Sequence, residues 1–487
     1  MITSQEFIER MKSLKPNCYM HGSVIQRDDP RMITSMKDIL MTYDLVDDPG
    51  YKDFITATSH LTGKTINRFT NIHQTVDDLL KKQLMTRVLS RLSGTCIQRC
   101  MGIDMMNAMS VITKEADDKN GGKTEYYQRF LAFMKEFQEK DLVGAAAQTD
   151  VKGDRMLRPH EQADPDLYMR VVERNAKGVV VRGCKVHTTV GPYCDELIVT
   201  PCRGLTKDEG DWSICFSIPA DTKGVHMLIE AANPTPRKAF PAEMEKHGIA
   251  HSVTIFDDVL VPWDRVFLDQ DPALGGRAAV LFALYHRHSY TGCKPAYTDL
   301  LMGTTALIAE VSGIEKEQHV KHKLAEMVSI AELVFASGIA AAHTATKASS
   351  GTMIPNVIYC NVGRKHAGLN IYHEYDTLCD ICGGQPQTMP YEEEYADPKW
   401  RAYLDKYFAR KKDVDPEIVH RAFRLAQDLI AGPVASNMQI AGVHGGGSPI
   451  MEDIAIMANY PLEEKKNIAR RLAGIPEKEI KPKEPKK

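Results

Sequence analysis

The stretch DLYMRVVERNAKGVVVRGCKVHTT (166–189) decides the architecture of this chain. Valine and threonine crowd it, and side chains branched at Cβ favour a pleated strand over a helix. Asn175-Ala176-Lys177-Gly178 breaks the run as a turn would, so ERNAKGVVVRG (173–183) is expected to form a hairpin. Four more β-rich runs follow between turn signals: DELIVTP (195–201), WSICFSIPA (212–220), VHMLIEAA (225–232) and HSVTIFDDVLVP (251–262). The pattern predicts an antiparallel β domain of about 100 residues.

On either side the texture is helical. DDLLKKQLMTRVLSRLSGTCIQRCMGIDMMNAMSVI (77–112) and TEYYQRFLAFMKEFQEKDL (124–142) carry apolar residues three and four apart. The same spacing returns in AAVLFALYHRHSY (278–290), LLMGTTALIAEVS (300–312), HVKHKLAEMVSIAELVFASGIAAAHTATKAS (319–349) and PEIVHRAFRLAQDLIAGPVASNMQIAG (416–442), which suggest an antiparallel bundle. The expected fold class is α+β. Its parts are a helical domain over 1–138, a β domain over 139–275, a helical bundle over 276–475 and a charged tail over 476–487.

Bulk composition narrows the function. The 487 residues carry a net charge of −3 without a lysine–arginine stripe, which argues against nucleic acid as a partner. No run of 18 apolar residues suggests a membrane span. Eleven cysteines and an amphipathic start, MITSQEFIERMKSLK (1–15), point to reduced thiols in the cytoplasm and not to a disulfide frame.

Chemistry concentrates in two short segments, GTCIQRCMG (94–102) and YHRHSYTGCK (285–294). Cys96 and Cys100 are expected one helical turn apart, on one face. His286 and Cys293 are seven apart, again on one face if Gly292 does not break the helix. Three cysteines and a histidine are a ligand set for zinc or for an iron–sulfur cluster. Seven residues of helix span roughly 10 Å, which suits a four-iron cube better than one ion. The plain alternative is cysteines that only pack. Tyr290 and Lys294 interleave with the two ligands and could move a proton or steady a developing anion.

Other motifs say less. GKT (63–65) lacks the glycine a phosphate loop needs, since position 58 is Thr. Cys379 and Cys382 form a lone Cys-x2-Cys, better read as packing. TDVKGDR (149–155) places Lys152, Asp154 and Arg155 around Gly153, where backbone could approach an anionic ligand or simply turn. HGGGSP (444–449) is a turn that could equally meet a cofactor phosphate.

Together LTGKTINRFTNIHQTVDDL (61–79), CIQRCMG (96–102), TDVKGDR, DPDLYMRVVE (164–173), VVVRGCKVHTT (179–189), YHRHSYTGCK and HGGGSP resemble the 4-hydroxybutyryl-CoA dehydratase family over essentially the whole chain. That family lies within the flavin-dependent 4-hydroxyphenylacetate 3-hydroxylase group, whose shape is acyl-CoA dehydrogenase-like. The resemblance implies a non-covalent FAD held near Thr149, Asp150, Lys152, Arg155, Thr188 and Thr189. It implies a [4Fe–4S] cluster on Cys96, Cys100, His286 and Cys293, an acyl-CoA bound near Tyr290 and Lys294, and a homotetramer; Gln98 also matches. The implied reaction is dehydration of 4-hydroxybutyryl-CoA to crotonyl-CoA by a ketyl-radical route, with vinylacetyl-CoA isomerisation beside it. In that route the cluster serves as Lewis acid and His286 as a possible base. Two positions depart from the family's pattern. Glutamates associated with proton handling are replaced by His251 and Ala441. His251 is a candidate substitute base because imidazole titrates near neutrality; Ala441 can carry no proton. The alternatives are a related radical lyase or isomerase on another acyl-CoA, and a cluster-free flavin hydroxylase.

Overall fold

The computed structural model describes residues 1–480; the last seven residues of the charged tail lie outside the described residues. Helices Ser4–Ser13, Ile33–Asp44, Val76–Ser93, Cys100–Lys119 and Tyr126–Glu139 make the first layer. Local chemistry sets their ends. Thr75 and Asp78 close a capping box on Val76–Ser93, and Gly94 stops that helix with φ +69°. The mostly helical reading of this part needs correcting at two places. Thr56–Thr58 and Thr65–Asn67 form a small antiparallel pair. Cys18–Met20 and Ser23–Ile25 are strands, and they form the edge of the central sheet. Strands of three residues leave too little period-2 pattern to read from sequence.

The expected hairpin is present: Arg170–Asn175 pairs antiparallel with Gly178–Thr189, closing at Asn175 opposite Gly178. Next to Gly178–Thr189 comes Ile249–Pro262, then Val225–Ala232, completing a six-stranded sheet with the N-terminal pair. A second sheet runs Val266–Asp269, Ile214–Pro219, Glu196–Val199, Gly144–Ala147. The β layer is not purely antiparallel. Cys18–Met20 lies parallel to Val225–Ala232, and Gly144–Ala147 parallel to Glu196–Val199, because both enter from the helical layer and not through a hairpin. Val179, Val181, Val199, Phe216, Met227, Phe256 and Val261 fill one core between the sheets.

One 41-residue helix, Pro272–Ser312, organises the rest. It packs against Val76–Ser93, Gln318–His343, Val357–Cys382 and Pro416–Ala431. Gly292 does not break it. A Cβ there would lie 2.1 Å from Thr86 Oγ1 and 2.3 Å from Gln83 O, so glycine is what lets the two helices touch. Pro295 also sits inside the helix and cannot donate to the carbonyl four residues back. Gln83 Nε2 donates to that carbonyl, Thr291 O, at 3.3 Å. Gln318–His343 is long and apolar enough to cross a membrane by length and composition, and here it packs on its neighbours in the bundle.

Candidate metal centre and cofactor cleft

His286, Tyr290, Cys293 and Lys294 follow one another at helical spacing along the long helix: His286 meets Asp104 of Cys100–Lys119, while Tyr290 and Lys294 meet Arg364 and Glu374 of Val357–Cys382. Cys100 is the first residue of its helix. Cys96 lies in the connection before it, so the expected Cys96–Cys100 helical turn is not formed. The chain doubles back instead at Gln98, whose φ is +60°. Gln98 Nε2 donates to Gly248 O at 3.1 Å and its Oε1 accepts from Ala250 N at 3.2 Å, so this loop is fastened to strand Ile249–Pro262.

One ligand atom each from Cys100, Asp104 and His286 lies within 4.8 Å of the other two. The Cys96 and Cys293 thiols lie close enough for their charges to act on Cys100. Burial pushes Cys96 up to about 11, with Asp38 adding to it, and raises Cys100 and Cys293 further, with the neighbouring sulfurs and Asp104 adding to theirs. A helix N-terminus favours a Cys100 thiolate, yet desolvation outweighs it. Ionising three thiols in this buried site would take a cation among them, and the donor set fits iron or zinc.

Asp104 is the residue that sequence reasoning missed. Its carboxylate lies 3.1 Å from His286 Nδ1, accepts from Ser289 Oγ at 2.9 Å and pairs with Lys82 Nζ at 2.9 Å. A ligand histidine held this way keeps Nε2 free for metal and its ring fixed. Phe282 stacks on the ring, with centroids 5.8 Å apart. The four-residue step from Cys100 to Asp104 was the available signal.

Tyr290 donates to Gly442 O at 2.8 Å beneath the Arg364 guanidinium, 4.4 Å from its ring centre. Burial raises its phenol. Lys294 is ion-paired with Glu374 and donates to Thr298 Oγ1 at 2.8 Å. Its ammonium is thus fixed by a carboxylate that no motif announced.

The residues expected at a flavin divide into two sets. Thr189 Oγ1 lies 3.0 Å from His251 Nδ1, and His251 Nε2 lies 3.1 Å from Asn437 Oδ1. Since the amide oxygen only accepts, Nε2 carries the proton and Nδ1 accepts from the Thr189 hydroxyl. Burial lowers the imidazole pKa, keeping it neutral. His251 therefore bridges the β layer to the bundle, and its lone pair is occupied. Lys152, in a left-handed conformation (φ +78°), faces His187, which in turn feels His444. Arg155 is exposed and Thr149 partly so. Asp150 and Thr188 are buried: Asp150 pairs with buried Lys185 at 2.8 Å, and Thr188 Oγ1 accepts from Thr254 Oγ1 at 3.1 Å while keeping its own proton to donate.

Comparison with known proteins gives a consistent result. Residues 3–268 match the 4-hydroxyphenylacetate 3-hydroxylase N-terminal model and 276–474 the C-terminal model. The chain is 35% identical to 4-hydroxybutyryl-CoA dehydratase/vinylacetyl-CoA-Δ-isomerase of Clostridium aminobutyricum, over 98% of this chain and 100% of that one. It superposes on the archaeal, oxygen-tolerant 4-hydroxybutyryl-CoA dehydratase of N. maritimus with a TM-score of 0.93, at 34% identity, over 99% of this chain and 97% of that one. The FAD complex of the 4-hydroxyphenylacetate 3-monooxygenase oxygenase component has the same fold, with a TM-score of 0.86 at 24% identity over 97% and 98%. That fold is acyl-CoA dehydrogenase-like.

Proposed function

The chain belongs to the 4-hydroxyphenylacetate 3-hydroxylase family, among the relatives of 4-hydroxybutyryl-CoA dehydratase, and we propose that it dehydrates 4-hydroxybutyryl-CoA or a close 4-hydroxyacyl-CoA to the crotonyl thioester and isomerises vinylacetyl-CoA. The observation that supports this reading is the grouping of Cys100, His286 and Asp104 ligand atoms within 4.8 Å, with the Cys96 and Cys293 thiols near enough to act on Cys100, in a chain of that descent. Cys96, Cys100, Cys293 and His286 would hold a [4Fe–4S] cluster, with FAD against Thr189, Lys152 and the backbone of 149–155.

When bound, the two groups supply a Lewis-acid iron for the γ-hydroxyl and a one-electron acceptor beside the acyl chain. The chain's own side chains do the rest. Asp104 orients His286. The Lys294 ammonium offers a fixed positive charge to a thioester enolate. The Tyr290 hydroxyl, its proton given to Gly442 O, keeps lone pairs that can accept from a ligand. The buried surroundings exclude water from both. A homotetramer is proposed as well, supported by apolar side chains left exposed on two helices: Leu369 and Tyr372, then Ile454 and Met457.

A second reading, isomerisation without dehydration, rests on His251 and Ala441. The first is a tied neutral bridge and the second is without a titratable group. Anaerobic incubation with 4-hydroxybutyryl-CoA and with vinylacetyl-CoA, products read by mass spectrometry, separates the two. Water loss from the first supports the main reading; turnover of vinylacetyl-CoA alone supports the second. Protein that purifies anaerobically with flavin but without iron or sulfide would overturn both in favour of a flavin hydroxylase.

A further inference from the structure

Three buried carboxylates surround the polar face of the long helix: Asp104, Glu374 and Glu452, each at most 1% exposed. Both oxygens of Asp104 are engaged, by Lys82, Ser289 and His286. Both oxygens of Glu374 are engaged, by Lys294 and Thr298. Glu452 differs. Its Oε1 is sealed from solvent without a hydrogen-bond partner, and Arg364 Nε stands off at 3.9 Å. An unpaired carboxylate oxygen in such a place is costly unless a ligand completes it.

Its position ties it to the site. Glu452 lies in the first turn of helix Ile450–Asn459, just past the glycine loop 444–449. That loop runs beside the metal ligand: a Cβ on Gly446 would lie 3.7 Å from His286 Cδ2. Arg364 donates to Gly445 O at 3.0 Å and Arg287 to Gly446 O at 3.0 Å, so the two arginines hold the loop down. Arg364 also covers the Tyr290 ring, which places Glu452 one side chain from Tyr290.

We propose that Glu452 is the carboxylate that takes the α-proton of the acyl-CoA, a role resting on the function proposed above. The α-C–H bond breaks, the proton passes to Oε1, and the electron pair remains on the substrate as the thioester enolate; nothing is oxidised or reduced. Neither Asp104 nor Glu374 can do this without giving up an ion pair. The groups facing Glu452 fit a carboxyl that binds and releases a proton. Burial raises its pKa, as does Asp453 on its own helix, while Arg364 and Lys365 from one neighbouring helix and Arg287 from another pull it down.

The test is hydrogen exchange with the holoenzyme in deuterium oxide, followed at the α-carbon of vinylacetyl-CoA and crotonyl-CoA by mass spectrometry and NMR. Wild-type exchange should accelerate with pH as Glu452 ionises. E452Q should exchange at least about a hundredfold more slowly and lose that pH limb, with iron and flavin content kept. E452D should restore part of the rate and the limb. Exchange by E452Q at the wild-type rate would overturn the proposal. Loss of iron and flavin in both variants would also overturn it, by making Glu452 a structural counter-charge. Wild-type protein that exchanges no deuterium into either thioester would sink the acyl-CoA reading itself, and this role with it.

Discussion

The Asp104 carboxylate lies 3.1 Å from His286 Nδ1 and 2.9 Å from Lys82 Nζ, so one buried acid ties the candidate ligand to a lysine from another helix. D104N keeps the shape but removes the charge. It leaves Lys82 buried without its counter-ion, which should cost about 3–5 kcal/mol in urea unfolding. It should also weaken iron binding by about 10–100-fold, read by titrating anaerobic apoprotein with iron and sulfide.

The four proposed ligands should not behave alike. C96S, C100S and C293S each remove a thiolate and should lose most cluster iron, measured by metal and sulfide assay. His286→Ala should lose activity more than iron, because three sulfurs remain. Full iron and full activity in all four variants would contradict the ligand assignment.

Lys294 and Glu374 should show strong coupling. Either single change, K294M or E374L, strands a buried charge and should destabilise by about 3–5 kcal/mol. The double variant should recover much of that loss. Urea unfolding of the four proteins closes the cycle, and additive losses would mean that the pair is not coupled.

Acid should weaken the bundle through His420. Burial, with Arg424 and Arg237 beside it, lowers its pKa from the usual 6.5 to about 4. The unfolded chain therefore binds a proton that the folded one refuses. The contribution is complete above 6.5 and fades as pH falls from there towards 4. The loss between pH 7 and 5 should be about 1 kcal/mol, half the full linkage value because water screens the nearby surface charges. H420F should show a smaller difference between urea stabilities at the two pH values.

What the sequence made legible follows physical range. The hairpin at Asn175 and the helix carrying His286 and Cys293 were readable because their signals are local: period, turn chemistry, caps. The Cys96–Cys100 turn was misread because Gln98 is held left-handed by bonds to Gly248 and Ala250, some 150 residues away. The strands at Cys18 and Ser23 were missed because each is only three residues long and the partner that ties them into the sheet, paired to Cys18–Met20, begins at Val225. Asp104 showed only as the residue four after Cys100, and Glu374 and Glu452 gave no motif. Each is an ordinary acid on a helix until the fold supplies Lys82, Lys294 or Arg364 beside it. His251 was legible as a substitution at a notable position, but not as a bridge, because Asn437 comes from the bundle.

The Gln98 fastening has a consequence for biogenesis. The cysteine loop takes its shape from Gly248 and Ala250, and its remaining donors come from residues 286 and 293. A cluster held by these residues would find a finished nest only after translation has passed the middle strands and the long helix as far as Cys293, and these have docked. Before that point the emerging chain offers only scattered thiols.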